Sequence, residues 1–265
     1  MSTPMLNTAL KAARAACAII NRAADNLDTL EVHRKGHSDY VSEIDVACER
    51  AIVEILREAY PRHQILGEEN GTVGPENSPF QWIIDPIDGT TNFMHGFPQY
   101  ASIALKHEDQ IVEAVVADPV KNEIFTATRG SGAFLNGRRI RVSKRTTLSE
   151  SLVGCGFPFR RQDNVEQFLA VFSQLAKTTS GLRRAGAASL DLAYVAAGRL
   201  DAFWEPNLKP WDIAAGSLLV LEAGGLVTDF KGETDFLDNG QIIAGTPKVF
   251  GQLLAVVNKN YGDIK

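Results

Sequence analysis

Apolar residues recur at spacings of three and four from Met5 to about Ala24. Leu6, Leu10, Ala13, Cys17 and Ile20 form one stripe, with Lys11, Arg14 and Arg22 off it. That period predicts an amphipathic helix with one face turned to a core. The polar run His33-Arg34-Lys35-Gly36-His37-Ser38-Asp39 then reads as an exposed, mobile loop. Ser42 stands three residues before Asp45, close to a capping box with Asp in place of Glu. A second helix is expected there, with Val46, Ile52, Val53 and Leu56 inward. It must end before Pro61, because a proline pushes the residue ahead of it out of the helical region.

From residue 64 the texture changes to short β-rich runs. Gln64-Ile65-Leu66-Gly67 and Gln81-Trp82-Ile83-Ile84-Asp85 read as buried strands, each running into acidic residues. Ala101 to Lys106, Ile111 to Ala117 and Glu123 to Thr128 follow as an antiparallel meander, with Gly130, Gly132 and Gly137 in the turns after it. Leu152 to Cys155 is a further strand. Val165 to Lys177, Ser189 to Ala197 and Ile213 to Ala223 are helices, with short apolar strands between them. The alternation predicts mixed α and β elements in layers, one domain over residues 1–265 with a soft subdomain boundary near residue 150.

Composition narrows the class. The chain has 265 residues, 45% of them hydrophobic, enough for a substantial core. No apolar run reaches the roughly 18 residues of a membrane span, and the start, Met-Ser-Thr-Pro, has no basic-then-apolar leader. Cys17, Cys48 and Cys155 are too far apart for a CxxC clip and fit a reducing compartment, so a cytoplasmic location is expected. The formal net charge of −5 argues weakly against nucleic acid as the main ligand. What matters more is where the acids sit.

The run Trp82-Ile83-Ile84-Asp85-Pro86-Ile87-Asp88-Gly89-Thr90-Thr91 carries the strongest chemical signal. An apolar strand delivers Asp85 to its end, and Asp88 follows a turn fixed by Pro86. Two carboxylates so placed, with the Ile87 carbonyl beside them, suit a hard cation such as Mg²⁺, which takes oxygen ligands. Gly89-Thr90-Thr91 then opens a short helix whose free N–H groups form an anion site. A cation beside an anion cradle suggests phosphate. Glu68-Glu69 after Gly67, and Asp212 in Lys209-Pro210-Trp211-Asp212, are weak alone; an exposed loop and an ordinary helix start would explain them. Together they complete a metal-ligand count. Other chemistries find no footing: there is no GxxxxGK[ST], HExxH or GxSxG, the five histidines lack ligand spacing and read as surface or core residues, and Cys155 reads as packing.

Gly67-Glu68-Glu69, Asp85-Pro86-Ile87-Asp88-Gly89-Thr90-Thr91 and Trp211-Asp212, in this order across nearly the whole chain, resemble the inositol monophosphatase family. Ala127-Thr128-Arg129-Gly130 and the run Leu190 to Arg199 are similar to its bacterial SuhB-type branch. The resemblance implies an α+β fold layered αβαβα, Mg²⁺ as cofactor, and hydrolysis of inositol 1-phosphate by metal-activated water. It places Glu68, Asp85, Asp88, Asp212 and the Ile87 carbonyl on the metals, Gly89 and Thr90 on phosphate, and Asp45, Glu68 and Thr90 in catalysis. Gly186, Ala187, Ala188 and Glu205, with Asp88 and Asp212, would line the substrate pocket. It also implies a homodimer and, for the SuhB-type branch, association with transcription antitermination proteins or RNA polymerase in ribosomal RNA synthesis.

Three alternatives stand beside this. A haloacid dehalogenase-type phosphatase needs its acids two residues apart, whereas Asp85 and Asp88 are three apart with Pro86 between. A fructose-bisphosphatase or adenosine-bisphosphate phosphatase would share the metal site and differ only in the pocket. A mainly non-catalytic binding role would use the basic run Arg138-Arg139-Ile140-Arg141-Val142-Ser143-Lys144-Arg145 and the pairs Arg160-Arg161 and Arg183-Arg184, which otherwise read as a solvated rim.

Overall fold

The computed structural model describes residues 2–25, 27, 32–36, 39–97, 100–157 and 164–261. Helix α1 (Pro4–Ala24) is opened by Thr3, whose hydroxyl accepts the Leu6 N–H at 3.0 Å. Its buried face is Leu6, Ala9, Ala12, Ala13, Ala16 and Ile20. The stripe is therefore rotated from the expected one, and Leu10 and Cys17 are half-buried at its margin. Alanines let the helix lie close on its neighbours, so four of them face inward between Leu6 and Ile20, with Leu10 and Cys17 at the flank.

The run read as a loop is instead a hairpin. Strands β1 (Val32–Gly36) and β2 (Asp39–Ser42) pair antiparallel, with His37 and Ser38 of that run outside the described residues. The run His33 to Asp39 has no apolar alternation, so it leaves no period-2 signature in the sequence. Helix α2 (Glu43–Ala59) begins with the expected capping box: Ser42 Oγ accepts the Asp45 N–H, and Asp45 Oδ2 accepts the Ser42 N–H at 2.8 Å. Its buried face is Asp45, Cys48, Glu49, Ile52 and Leu56. Val46, expected inward, is 46% exposed. Two acids hold positions that an apolar count would give to hydrophobic residues.

Among the described residues the remaining strands form two sheets. The first contains β3 (Gln64–Gly67), β4 (Gly71–Val73), β5 (Phe80–Asp88), β6 (Tyr100–His107), β7 (Gln110–Asp118), β8 (Glu123–Thr128), β9 (Gly132–Leu135) and β10 (Arg138–Arg139), in the order β10-β9-β8-β7-β6-β5-β3-β4. The meander β6–β7–β8 is as expected, and β3 and β5 are parallel neighbours. The second contains β11 (Leu152–Cys155), β12 (Gly181–Arg183), β13 (Ala202–Glu205), β14 (Leu226–Thr228) and β15 (Ile242–Gly245), in the order β12-β11-β13-β15-β14.

Alternation along the strands sorts side chains into three cores. Trp82 and Ile84 of β5 face α1 and α2, while Ile83 between them faces the other way. Phe203 of β13 joins Ile83's core, and Ala202 and Trp204 join a third one beneath α4 (Val165–Thr178) and α8 (Pro247–Tyr261). Helices α5 (Ala188–Ala196) and α6 (Pro210–Glu222) fill the middle layer between the sheets, giving the layered order αβαβα. Buried on all sides, these two helices are apolar all round. Gly216 sets their spacing: a Cβ there would lie 2.5 Å from Leu192 Cβ. Helix α6 starts three residues before the expected Ile213, with Pro210 in its first turn, where the missing N–H costs nothing. Among the described residues, no helix is long and apolar enough to cross a membrane.

Candidate metal and phosphate site

Strand β5 does not stop at Asp85 as expected but runs on to Asp88. Asp85 pairs with Ser102 and Asp88 with Tyr100, so three steps on β5 match two on β6. In a regular strand, residues three apart point to opposite faces. The extra residue of a bulge restores Asp88 to the side of Asp85, and Pro86, which cannot donate to the ladder, is tolerated there. Gly89 follows with φ 93°, in the left-handed region that suits glycine, and caps the short helix α3 (Thr90–Met94).

Two other segments converge on this point. Gly67 at the end of β3 lies level with Ile84 of β5, so Glu68, next in the β3–β4 turn, arrives beside Asp85. Asp212 comes from the first turn of α6, its Oδ2 accepting the Lys209 N–H at 2.7 Å. One carboxylate oxygen each from Asp85, Asp88 and Asp212 lie within 4.8 Å of one another. Asp88 is braced by the start of α5, its Oδ2 accepting the Ser189 N–H at 2.7 Å. Burial, and then the charges of Glu68, Asp88, Asp212 and Asp45, push the Asp85 carboxyl well above the usual carboxylate range. Its Oδ1 is buried without a hydrogen-bond partner. Hard oxygens in convergence, one of them orphaned, fit a hard divalent cation.

Beside this cluster, Thr90 Oγ1 donates to Asp45 Oδ1 at 2.8 Å and lies 3.4 Å from the Ile87 carbonyl oxygen. Asp45 is fully buried, and its carboxyl is raised by burial, a shift opposed by its bonds to Ser42 and Thr90. A cleft of about 460 Å³ opens over the cluster. Glu68, Asp85, Ile87, Asp88, Gly89, Thr90, Gly186, Ala188, Glu205 and Asp212 all line it. Asp45 and Ala187 do not. Asp45 sits behind Thr90, and Ala187 is turned into the core between the sheets, against Gly89.

Glu205 ends β13 and is half-buried at the cleft. Gly156 makes its place: a Cβ there would come within 1.6 Å of Glu205 Cδ. Burial, followed by Asp212 and Asp191, holds the Glu205 carboxyl well above the usual range.

Several residues at the site were not singled out for it by sequence. Asp191, 2% exposed in α5, is pushed well above the usual range by burial and then by Asp88, with Arg184 opposing. An acid inside so apolar a helix was the available signal. Arg184, read as part of a surface pair, lines the cleft, as do Phe157 and His95. His63, half-buried, packs as a ring stacked between Tyr60 and Phe80 at 4.7 and 4.6 Å, one of the surface or core roles expected of the histidines. Cys155 is buried packing, as read. Arg138, Arg139, Arg141, Lys144 and Arg145 are exposed along the sheet edge and the segment leading from it, while Arg160 and Arg161 lie outside the described residues.

Comparison with known proteins agrees with the fold. The model of the inositol monophosphatase family matches residues 1–261. The chain is 55% identical over 259 residues to the Nus factor SuhB of Pseudomonas aeruginosa, covering 96% of each. It resembles the crystal structure of the extragenic suppressor protein suhB of Bartonella henselae with a TM-score of 0.94 at 42% identity, covering 97% of this chain and 99% of that one. The IMPase of Thermotoga maritima gives a TM-score of 0.89 at 36% identity, covering 99% and 100%.

Proposed function

The chain belongs to the inositol monophosphatase family, and we propose that it hydrolyses inositol 1-phosphate to inositol and phosphate with Mg²⁺ as cofactor. The observation that carries this reading is the convergence of Asp85, Asp88 and Asp212, with one oxygen of Asp85 buried and lacking a hydrogen-bond partner. Glu68, Asp85, Asp88, Asp212 and the Ile87 carbonyl would hold the metal. Bound there, Mg²⁺ supplies Lewis acidity that makes water a usable nucleophile at neutral pH and offsets charge on the phosphoryl group.

The residues of the chain supply orientation. The Thr90 hydroxyl commits its proton to Asp45 Oδ1, so toward the cleft Thr90 Oγ1 can only accept. A water there must donate one O–H to Thr90, which leaves a lone pair for phosphorus. Asp45 is placed to take the Thr90 proton as Thr90 takes the water's. The N–H groups at the start of α3, beginning with Gly89 and Thr90, hold the phosphate oxygens. Glu205, with Gly186, Ala188, Asp88 and Asp212, faces the polyol, whose adjacent hydroxyls a carboxylate accepts well. A homodimer and a cytoplasmic location belong to the same reading.

The test is phosphate release from a panel of esters with and without Mg²⁺. Inositol 1-phosphate is expected to be turned over well, and only with the metal. Much faster turnover of fructose 1,6-bisphosphate or an adenosine bisphosphate would move the assignment to another sugar or nucleotide phosphate.

A second reading is favoured by the name of its relatives, the Nus factors SuhB. In it the chain also takes part in transcription antitermination and ribosomal RNA synthesis, as a partner of antitermination proteins or RNA polymerase. Among the described residues, the exposed bases Arg138, Arg139, Arg141, Lys144 and Arg145, with the exposed pair Arg183 and Arg184, offer a surface for such contacts. Asp88→Asn separates the two roles. Lost hydrolysis with full complementation of a deletion strain is the expected result if the binding role is the vital one; failure to complement, with the protein present at normal level, ties the vital role to catalysis.

A further inference from the structure

Helix α2 directs two carboxylates beneath the cleft, one turn apart. Residues four apart share one face of a helix. Asp45 meets Thr90; Glu49, 1% exposed, meets the β3–β4 turn that carries Glu68. Glu49 Oε2 accepts the Glu69 N–H at 2.8 Å, while Oε1 accepts the Asn70 N–H at 2.8 Å and the Asn70 side-chain amide at 2.7 Å. The backbone at Gly67 lies directly against the same carboxylate, since a Cβ there would stand 2.6 Å from Glu49 Cδ and Oε2. The contacts therefore grip the turn on both sides of Glu68. The turn leads into β4, a three-residue strand at the sheet edge, which by itself restrains it little.

We propose that Glu49 is a positioning residue for the metal site. Its three accepted hydrogen bonds fix where Glu68 stands relative to Asp85. With Asp45, it makes one face of α2 the template on which the Glu68 turn and the Asp88–Thr90 segment are both registered. Groups that hold a ligand in place govern metal affinity, because a misplaced oxygen must be moved before it can bind. The proposal rests on reading the cleft as a Mg²⁺ site.

Glu49→Gln keeps the size but not the acceptors. Whichever way the amide lies, its NH₂ faces the Glu69 N–H or the two Asn70 donors. Mg²⁺ affinity, measured by calorimetry and by displacement of Mn²⁺ followed by electron paramagnetic resonance, is expected to fall by about 10- to 100-fold. At saturating Mg²⁺, kcat should largely return, with KM for inositol 1-phosphate little changed. Gly67→Ala crowds the same carboxylate from the sheet side and should shift Mg²⁺ affinity in the same direction. Should Glu49→Gln not fold, Asn70→Ala, at an exposed position, removes one of the three bonds and should give a smaller loss of the same kind. Arg50→Ala, on the solvent face of α2, should bind Mg²⁺ as wild type does. Unchanged Mg²⁺ affinity in the folded variants, or activity that saturating Mg²⁺ does not restore, overturns the proposal. A wild-type protein that binds no Mg²⁺ overturns instead the reading of the cleft on which it rests.

Discussion

Asp85→Asn is expected to abolish Mg²⁺-dependent hydrolysis and, at the same time, to stabilise the metal-free fold. Activity should fall by well over the ~100-fold that loss of a mere supporting group costs, because Asp85 faces Glu68, Asp88 and Asp212 and holds the orphaned oxygen. The stability gain follows from the same crowding. A fully buried carboxylate among acids is a burden when no cation is present. Its folded-state pKa lies above the unfolded value, so whatever it contributes to stability is present below the unfolded pKa and lost as pH rises toward the folded one. At pH 7 the metal-free variant should therefore be more stable by about 1 kcal/mol, or roughly 2–4 °C in Tm. Near pH 4 the difference should shrink. Added Mg²⁺ should raise the Tm of the wild type by mass action and leave that of the variant unmoved. Melting curves at both pH values, with and without Mg²⁺, check each part. Mg²⁺-dependent turnover by the variant at wild-type rate would remove Asp85 from the site.

Trp204→Ala should have the largest effect on the fold itself. Trp204 is fully buried beneath α4 and α8, its rings 5.1 Å from Phe168 and 6.2 Å from Tyr261. Emptying that volume should cost about 3–5 kcal/mol, lowering Tm by roughly 10 °C. Strand alternation sends Trp204 to the outer core while the next residue, Glu205, faces the cleft. At 20 °C the folded variant should thus keep a KM near that of wild type even as urea unfolds it far earlier. A urea-measured loss under about 1 kcal/mol would mean that the outer core closes over the gap, against the close packing seen here.

Much of the site was legible because it obeys local rules. The capping box at Ser42 and Asp45, the strand running into Asp85, and the glycine-capped start of α3 are each written in contiguous residues. The distant members, Glu68 and Asp212, are weak candidates in their own surroundings, an acidic pair after a strand and an acid at a helix start, and gain weight only together and through the resemblance of motif order. The differences have separate physical causes. Val46 was expected inward because it is apolar, whereas the face of α2 that is buried carries Asp45 and Glu49. Hydrophobic counting misassigns a helix face whenever that face serves a polar site. Arg184 and His95 read as surface or core residues because a cleft wall looks like either until its opposite side is known.

The sequence by itself determined the main helices and the central strands, the layered class and the acid-rich run of β5, because helix and strand periods and turn chemistry are local properties; the β1–β2 hairpin escaped it. Only the tertiary structure decided which carboxylates meet. The bulge at Pro86-Ile87 turns Asp88 to the side of Asp85, the parallel pairing of β3 with β5 brings Glu68 level with them, and Gly216 seats α6 so that Asp212 closes the group. Such convergence costs electrostatic energy that no local preference repays. It is held by backbone hydrogen bonds and by cores packed from residues far apart in the chain.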